Sequence, residues 1–186
     1  METPLTLTGI HRGGSRMEDR LTRGYVAGVI GGIITNAFSF LAGFLGWTTV
    51  RTADLISLTL YAHTPPFTFG ELAFALIGHI HISGTLGVGF TYLVPRIASS
   101  KLWLKGIVFS IAIWYSIYSI TTLFELPGTV PTPLNTAITD GSAAVIFGLS
   151  LAIALQAFTP KGNMTSGMSM VPAMKPLDQP RDDNED

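Results

Sequence analysis

The chain has 186 residues, 47% hydrophobic and only 12% charged, against about a quarter charged in an ordinary soluble domain. A net charge of -1 excludes a strongly basic surface of the kind that recruits nucleic acid, and the absence of cysteine excludes disulfides and thiolate metal sites. The charges lie mainly in the first 23 residues, in short loops and in the last 27 residues. The long uncharged runs between them predict an all-α integral membrane four-helix bundle.

Residues 1–22, with "GIHRGGSRMEDR", read as a polar cytoplasmic tail. Residues 24–50 carry no charge between Arg23 and Arg51. As a helix this run is roughly 40 Å long, more than the hydrocarbon core of about 30 Å requires. It is also longer than the apolar region of a cleavable signal peptide, so it reads as a retained first span with Trp47 as an interfacial anchor. "RTADLISLTLYAH", 51–63, is too short and too polar to cross, and predicts a short interfacial helix capped by Thr52 and ended by Pro65-Pro66.

The second span, 69–94, opens on "TFGE". There the Thr68 hydroxyl can accept from the Glu71 N–H while the Glu71 carboxylate reaches back to residue 68, a capping box. The third span, 102–124, is bulky, and should face lipid with Ser110, Ser116 and Ser119 bonded to their own helix. The fourth, 133–158, follows the loop "TVPT", and residues 159–186 read as a disordered cytoplasmic tail.

Basic residues fix the expected orientation. Arg12, Arg16, Arg20 and Arg23 precede the first span; Arg96, Lys101 and Lys105 lie between the second and third; Lys161 and Lys175 follow the fourth. The other side has Arg51 alone. By the positive-inside rule both termini are cytoplasmic.

Small residues four apart let helices approach closely in lipid. Gly24, Gly28 and Gly32 form such a row on the first span, Ser83 and Gly87 on the second, and Ala144, Gly148 and Ala152 on the fourth. These rows predict packing within one bundle. The first also offers a face for a homodimer, the one protein partner the sequence suggests beside the lipid bilayer.

Four polar residues fall at membrane depth and form the candidate intramembrane polar site: Asn36, Glu71, His79 and Asp140. Glu71 suits the first turn of its helix, where the positive end of the dipole favours a carboxylate. His79 lies roughly 16 Å into its span, at the depth of Asn36, which is its expected partner. His81 is about 200° further round the helix, so "HIH" cannot chelate one metal there. Asp140 sits in the early turns of the fourth span, with Thr136, Thr139 and Ser142 as local partners, and Glu71, Asp140 and Glu125 could line one outer cavity. No phosphate loop, nucleophile elbow or HExxH motif occurs, so no catalytic residue, metal or cofactor is expected.

The stretches "RGYVAGVIGGI" (23–33), "TYLVPRI" (91–97) and "LFELPGTVPTPLNTAI" (123–138) resemble a class of small four-pass membrane proteins of Gram-positive bacteria, broadly YqhR-like. The resemblance covers residues 20–157 and rests on packing and turn motifs. It implies four spans and a bacterial origin, and carries no functional residues. Two readings of function follow: a structural or accessory membrane protein, or a proton-linked small-solute carrier or channel subunit using Glu71, His79 and Asp140.

Overall fold

The computed structural model describes residues 14–97, 100–126, 128–129 and 131–158, with side chains from Arg20 onward. The expectations for residues 1–13 and for the tail 159–186 lie outside them. Among the described residues the chain forms five α-helices and no strand: α1 (Gly14–Phe44), α2 (Thr52–Tyr61), α3 (Phe69–Leu93), α4 (Leu102–Leu123) and α5 (Leu134–Phe158), with a 3₁₀ turn at Val94–Arg96. Four of these, all but α2, are long and apolar enough to cross a membrane.

The first helix departs from expectation at both ends. Residues 14–22 continue the helix instead of forming a tail, and the helix stops at Phe44 rather than at Val50. The stop is a Schellman motif: Gly46 has φ 73°, its N–H donates to the Gly43 carbonyl at 3.1 Å, and the Trp47 N–H donates to the Ala42 carbonyl at 2.9 Å. A residue with a Cβ pays a steric cost in this left-handed conformation, and glycine does not.

The short helix α2 forms as expected, but Thr52 is its first residue and not its cap. Ser39 Oγ on α1 accepts from the Thr52 N–H at 2.9 Å, and Asp54 Oδ2 accepts from the Arg51 N–H at 3.0 Å. The start of α2 is thus satisfied partly by another helix. Arg51 also closes an ion pair with Asp54 at 2.8 Å and lies over the Phe40 ring.

The long helices alternate in direction. Arg23 near the start of α1 donates to the Phe158 carbonyl at the end of α5, so the helical body begins and ends at one end of the bundle. The α2 helix and the α4–α5 turn mark the other end. Contacts run chiefly α3–α1, α1–α5 and α5–α4, which makes α1 and α5 the inner pair. The outer helices α3 and α4 meet through Phe90 and Phe109, whose ring centroids are 5.3 Å apart. Ala27, Phe90, Phe147, Leu151, Ala154 and Leu155 form the buried core there.

Small residues set two of the interfaces. A Cβ on Gly28 would run into the Ser83 carbonyl oxygen, and one on Gly87 into the Gly24 carbonyl oxygen. Gly24 faces Thr91 and Gly87, and Gly32 faces Ser83, so the whole row of α1 lies against α3 of the same chain. A second copy would have to displace α3 to reach it. On α5, Gly148 meets Gly106 and Ser110 of α4, and Ala152 also lies against Gly106. Ala144 is half-buried. The third span is otherwise the most exposed, and Ser110, Ser116 and Ser119 bond to their own helix as expected.

Lys105 is the unexpected cation. It belongs to the first turn of α4, is 9% exposed, and donates through Nζ to the carbonyls of Val94 (3.1 Å) and Ile97 (2.7 Å). Pro95 interrupts the chain at the end of α3, and the lysine satisfies carbonyls that no continuing helix can reach.

Candidate functional site

The candidate residues Asn36, Glu71, His79 and Asp140 do not form one site. They fall into three separate groups on different helix contacts.

The first joins α1 to α3. Asn36 is buried, its Nδ2 donates to the Gly32 carbonyl at 2.8 Å, and the same amide nitrogen lies 2.9 Å from His79 Nδ1. Asn36 Oδ1 lies 3.2 Å from the same ring nitrogen, so the amide N–H donates to Nδ1 in one tautomer of His79 and Nδ1–H donates to the amide oxygen in the other. The pair is the one the matching depths predict. His81 also turns to α1 but on the other flank, where its Nδ1 lies 2.7 Å from Tyr25 Oη and the tyrosine ring covers Gly84. The two imidazoles therefore have different partners. Asn36→Leu should cost about 1 kcal/mol, because His79 loses its partner in an apolar setting. A double-mutant cycle with His79→Leu, read in chemical or thermal unfolding, should show coupling of the same size. Strict additivity would contradict the bond.

The second group is the N-terminus of α3. Thr68 N–H donates to Glu71 Oε2 at 2.7 Å and Glu71 N–H donates to Thr68 Oγ1 at 3.3 Å, closing the expected capping box. His63 adds a contact that the sequence did not suggest, its Nε2 donating to Glu71 Oε1 at 3.1 Å. Its Nδ1 donates to the Thr64 carbonyl at 2.9 Å. The Thr64 carbonyl first, and the Glu71 carboxylate second, favour the protonated ring and raise the His63 pKa above the ordinary value. An unfolded histidine titrates near about pH 6.5. The stabilisation is therefore complete below that pH and fades as pH rises through the higher folded value. The melting midpoint of the native chain should exceed that of His63→Gln by more at pH 5.5 than at pH 8.5. A difference that widens with pH would contradict this pairing.

The third group joins α4 to α5. Tyr118 Oη donates to Asp140 Oδ2 at 2.6 Å, and the Trp114 ring packs on Tyr118 at 5.0 Å. Thr136, Thr139 and Ser142 do not bond to Asp140, contrary to expectation. Thr139 and Ser142 donate to carbonyls of their own helix, and Thr136 accepts from the Thr49 N–H. A hydroxyl on an α-helix reaches the carbonyl four residues back more readily than a side chain further round.

Asp140 opens onto a cavity of about 170 Å³ at the α2 end, lined also by Thr49, Tyr118, Thr121, Thr129, Thr132 and Thr136. Neither Glu71 nor Glu125 lines it, so the shared acidic cavity does not form. Glu71 is held at the start of α3 by Thr68 and His63, and Glu125 is an exposed turn residue at φ 46°. Among the described residues no three His, Cys, Asp or Glu side chains converge to hold a metal ion. No protein family, curated protein or solved structure matches the chain.

Proposed function

We propose that the chain is a four-pass protein of the bacterial cytoplasmic membrane, with both termini inside, and that it serves a structural or accessory role. Lipid exposure supports the membrane assignment. Ile77 is 66% exposed, Val108 60%, Ile138 60% and Ile153 62%, and such residues occur on all four long helices. A water-soluble monomer does not expose apolar surface on that scale. Arg20, Arg23, Arg96 and Lys101 lie at the end where α1 begins and α5 ends, while Arg51 lies at the other, in keeping with that end facing the cytoplasm. The resemblance to four-pass proteins of Gram-positive bacteria agrees.

The observation that carries the structural reading is the separation of the polar groups. Asn36 and His79 bond to each other between α1 and α3, and Tyr118 and Asp140 between α4 and α5. Ala27, Gly31, Phe147 and Leu151 pack α1 against α5 nearer the end where α1 begins, on one side of both pairs. A carrier or channel needs a polar file from one side to the other; no hydrogen bond among the described residues joins these two pairs, and the buried cluster at the end where α1 begins is apolar. Purified protein reconstituted in vesicles with an internal pH-sensitive dye should show no protein-dependent proton flux. Flux that vanishes in stable Glu71→Gln, His79→Ala or Asp140→Asn variants would establish the carrier reading instead.

A further inference from the structure

We propose that the cavity beside Asp140 is a binding site for a small primary ammonium group. The inference goes beyond the structural role and does not depend on it. It rests on the way the protons of the lining side chains are already committed.

Thr121 Oγ1 donates to the Tyr118 carbonyl at 3.0 Å, Thr129 Oγ1 to the Leu126 carbonyl at 2.8 Å and Thr132 Oγ1 to the Thr129 carbonyl at 2.7 Å. Tyr118 gives its hydroxyl proton to Asp140 Oδ2. Each of these hydroxyls turns only lone pairs outward. The Thr49 and Thr136 hydroxyls share one bond at 3.1 Å and keep a single proton between them. Asp140 Oδ1 has no partner among the described residues, and the lining contains no Lys, Arg or His.

A cavity with one carboxylate, several hydroxyl lone pairs and almost no side-chain donor is complementary to a ligand that is all donor and positively charged. An alkylammonium head offers three N–H donors and no acceptor. An anion meets the reverse: like charge at Asp140 and oxygen lone pairs elsewhere. The remaining walls, Val50, Leu55, Pro131 and Pro133, are apolar and suit a short alkyl chain. The volume of about 170 Å³ holds a ligand of a few heavy atoms. Two sources present this chemistry, a free short-chain amine and the aminoethyl headgroup of a phospholipid, and the cavity's place at the end of the bundle admits both.

Isothermal titration of ethylammonium chloride into the full chain, held in phosphatidylcholine nanodiscs, tests the assignment. Saturable binding is expected, with sodium acetate silent. Asp140→Asn should weaken ethylammonium about tenfold or more, the usual consequence of losing a charge-assisted bond. Glu125→Gln, an exposed acid at the same end that does not line the cavity, should leave it unchanged. If Asp140→Asn does not fold, Thr129→Val with Thr132→Val removes two lone-pair donors from the turn and should weaken binding several-fold. Nanodiscs containing phosphatidylethanolamine separate the sources: a competing headgroup lowers the apparent affinity for ethylammonium, and a site reserved for free amines does not respond. Failure of ethylammonium to bind, with no lipid exchange in the ethanolamine nanodiscs, would overturn the proposal. So would acetate binding as tightly, or undiminished binding in Asp140→Asn or in the double threonine variant.

Discussion

Gly28→Leu will drive α1 and α3 apart and lower stability by about 3 kcal/mol or more. The reason is the identity of the neighbouring atoms. A Cβ at this position meets the carbonyl oxygen of Ser83 and the Cα of Gly84, both main-chain atoms in the middle of a helix. A flexible side chain can turn aside; a helix backbone moves only as a unit. The separation would also break the Asn36–His79 bond one or two turns along the same interface. Gly78 and Gly89 on α3 supply the control, since a Cβ on either meets nothing within 4 Å. Gly78→Ala and Gly89→Ala should match or exceed the native midpoint, because alanine has the higher helix propensity by up to about 1 kcal/mol. Unfolding titrations of the purified proteins in mixed micelles measure all three. Native-like stability for Gly28→Leu would show that α1 and α3 do not pack as described.

Lys105→Met should cost about 2 kcal/mol, the second largest effect expected of a single change. Methionine preserves the length and much of the volume of the stem but removes the ammonium. The Val94 and Ile97 carbonyls then lose their charge-assisted bonds at the C-terminal end of α3, where the helix dipole also favours a cation. Because Lys105 is buried, water cannot freely replace it. The loss should appear as a lower unfolding midpoint with unchanged helix content at low temperature. An unaltered midpoint would mean that the two carbonyls find other donors at no cost.

The features legible in the sequence are those set by local order or by depth. Thr68 and Glu71 lie three residues apart, and that spacing alone specifies their capping box. Asn36 and His79 lie at similar distances from the ends of antiparallel spans, and two polar groups at one depth in hydrocarbon have few alternative partners. The glycine row of α1 announced a close contact without naming the partner. What could not be read was which helix faces which. A helix apolar on every side has no polar face to orient it, so the order α3–α1–α5–α4 left no periodic trace. Tyr118 and Gly106 were hidden for this reason, their partners lying on another helix whose rotation was unknown. Ser39 is similar: it caps α2 from α1, and sequence-based capping rules consider only the residues next to the helix. Gly46 ends α1 within the apolar run "FLGW", where hydropathy gives no break.

In the proposed topology α1, α3, α4 and α5 cross the bilayer alternately, with the α2 end outside and the α3–α4 connection inside. The native chain has no cysteine, so one introduced thiol is unique. Thr64→Cys, in the exposed α2–α3 loop, and Ser100→Cys, in the exposed α3–α4 loop, are labelled separately with a membrane-impermeant maleimide on bacteria from which any outer barrier has been removed. Thr64→Cys should be labelled in intact cells and Ser100→Cys only after the membrane is opened. Labelling of both from outside, of neither until lysis, or of Ser100→Cys alone would contradict this topology.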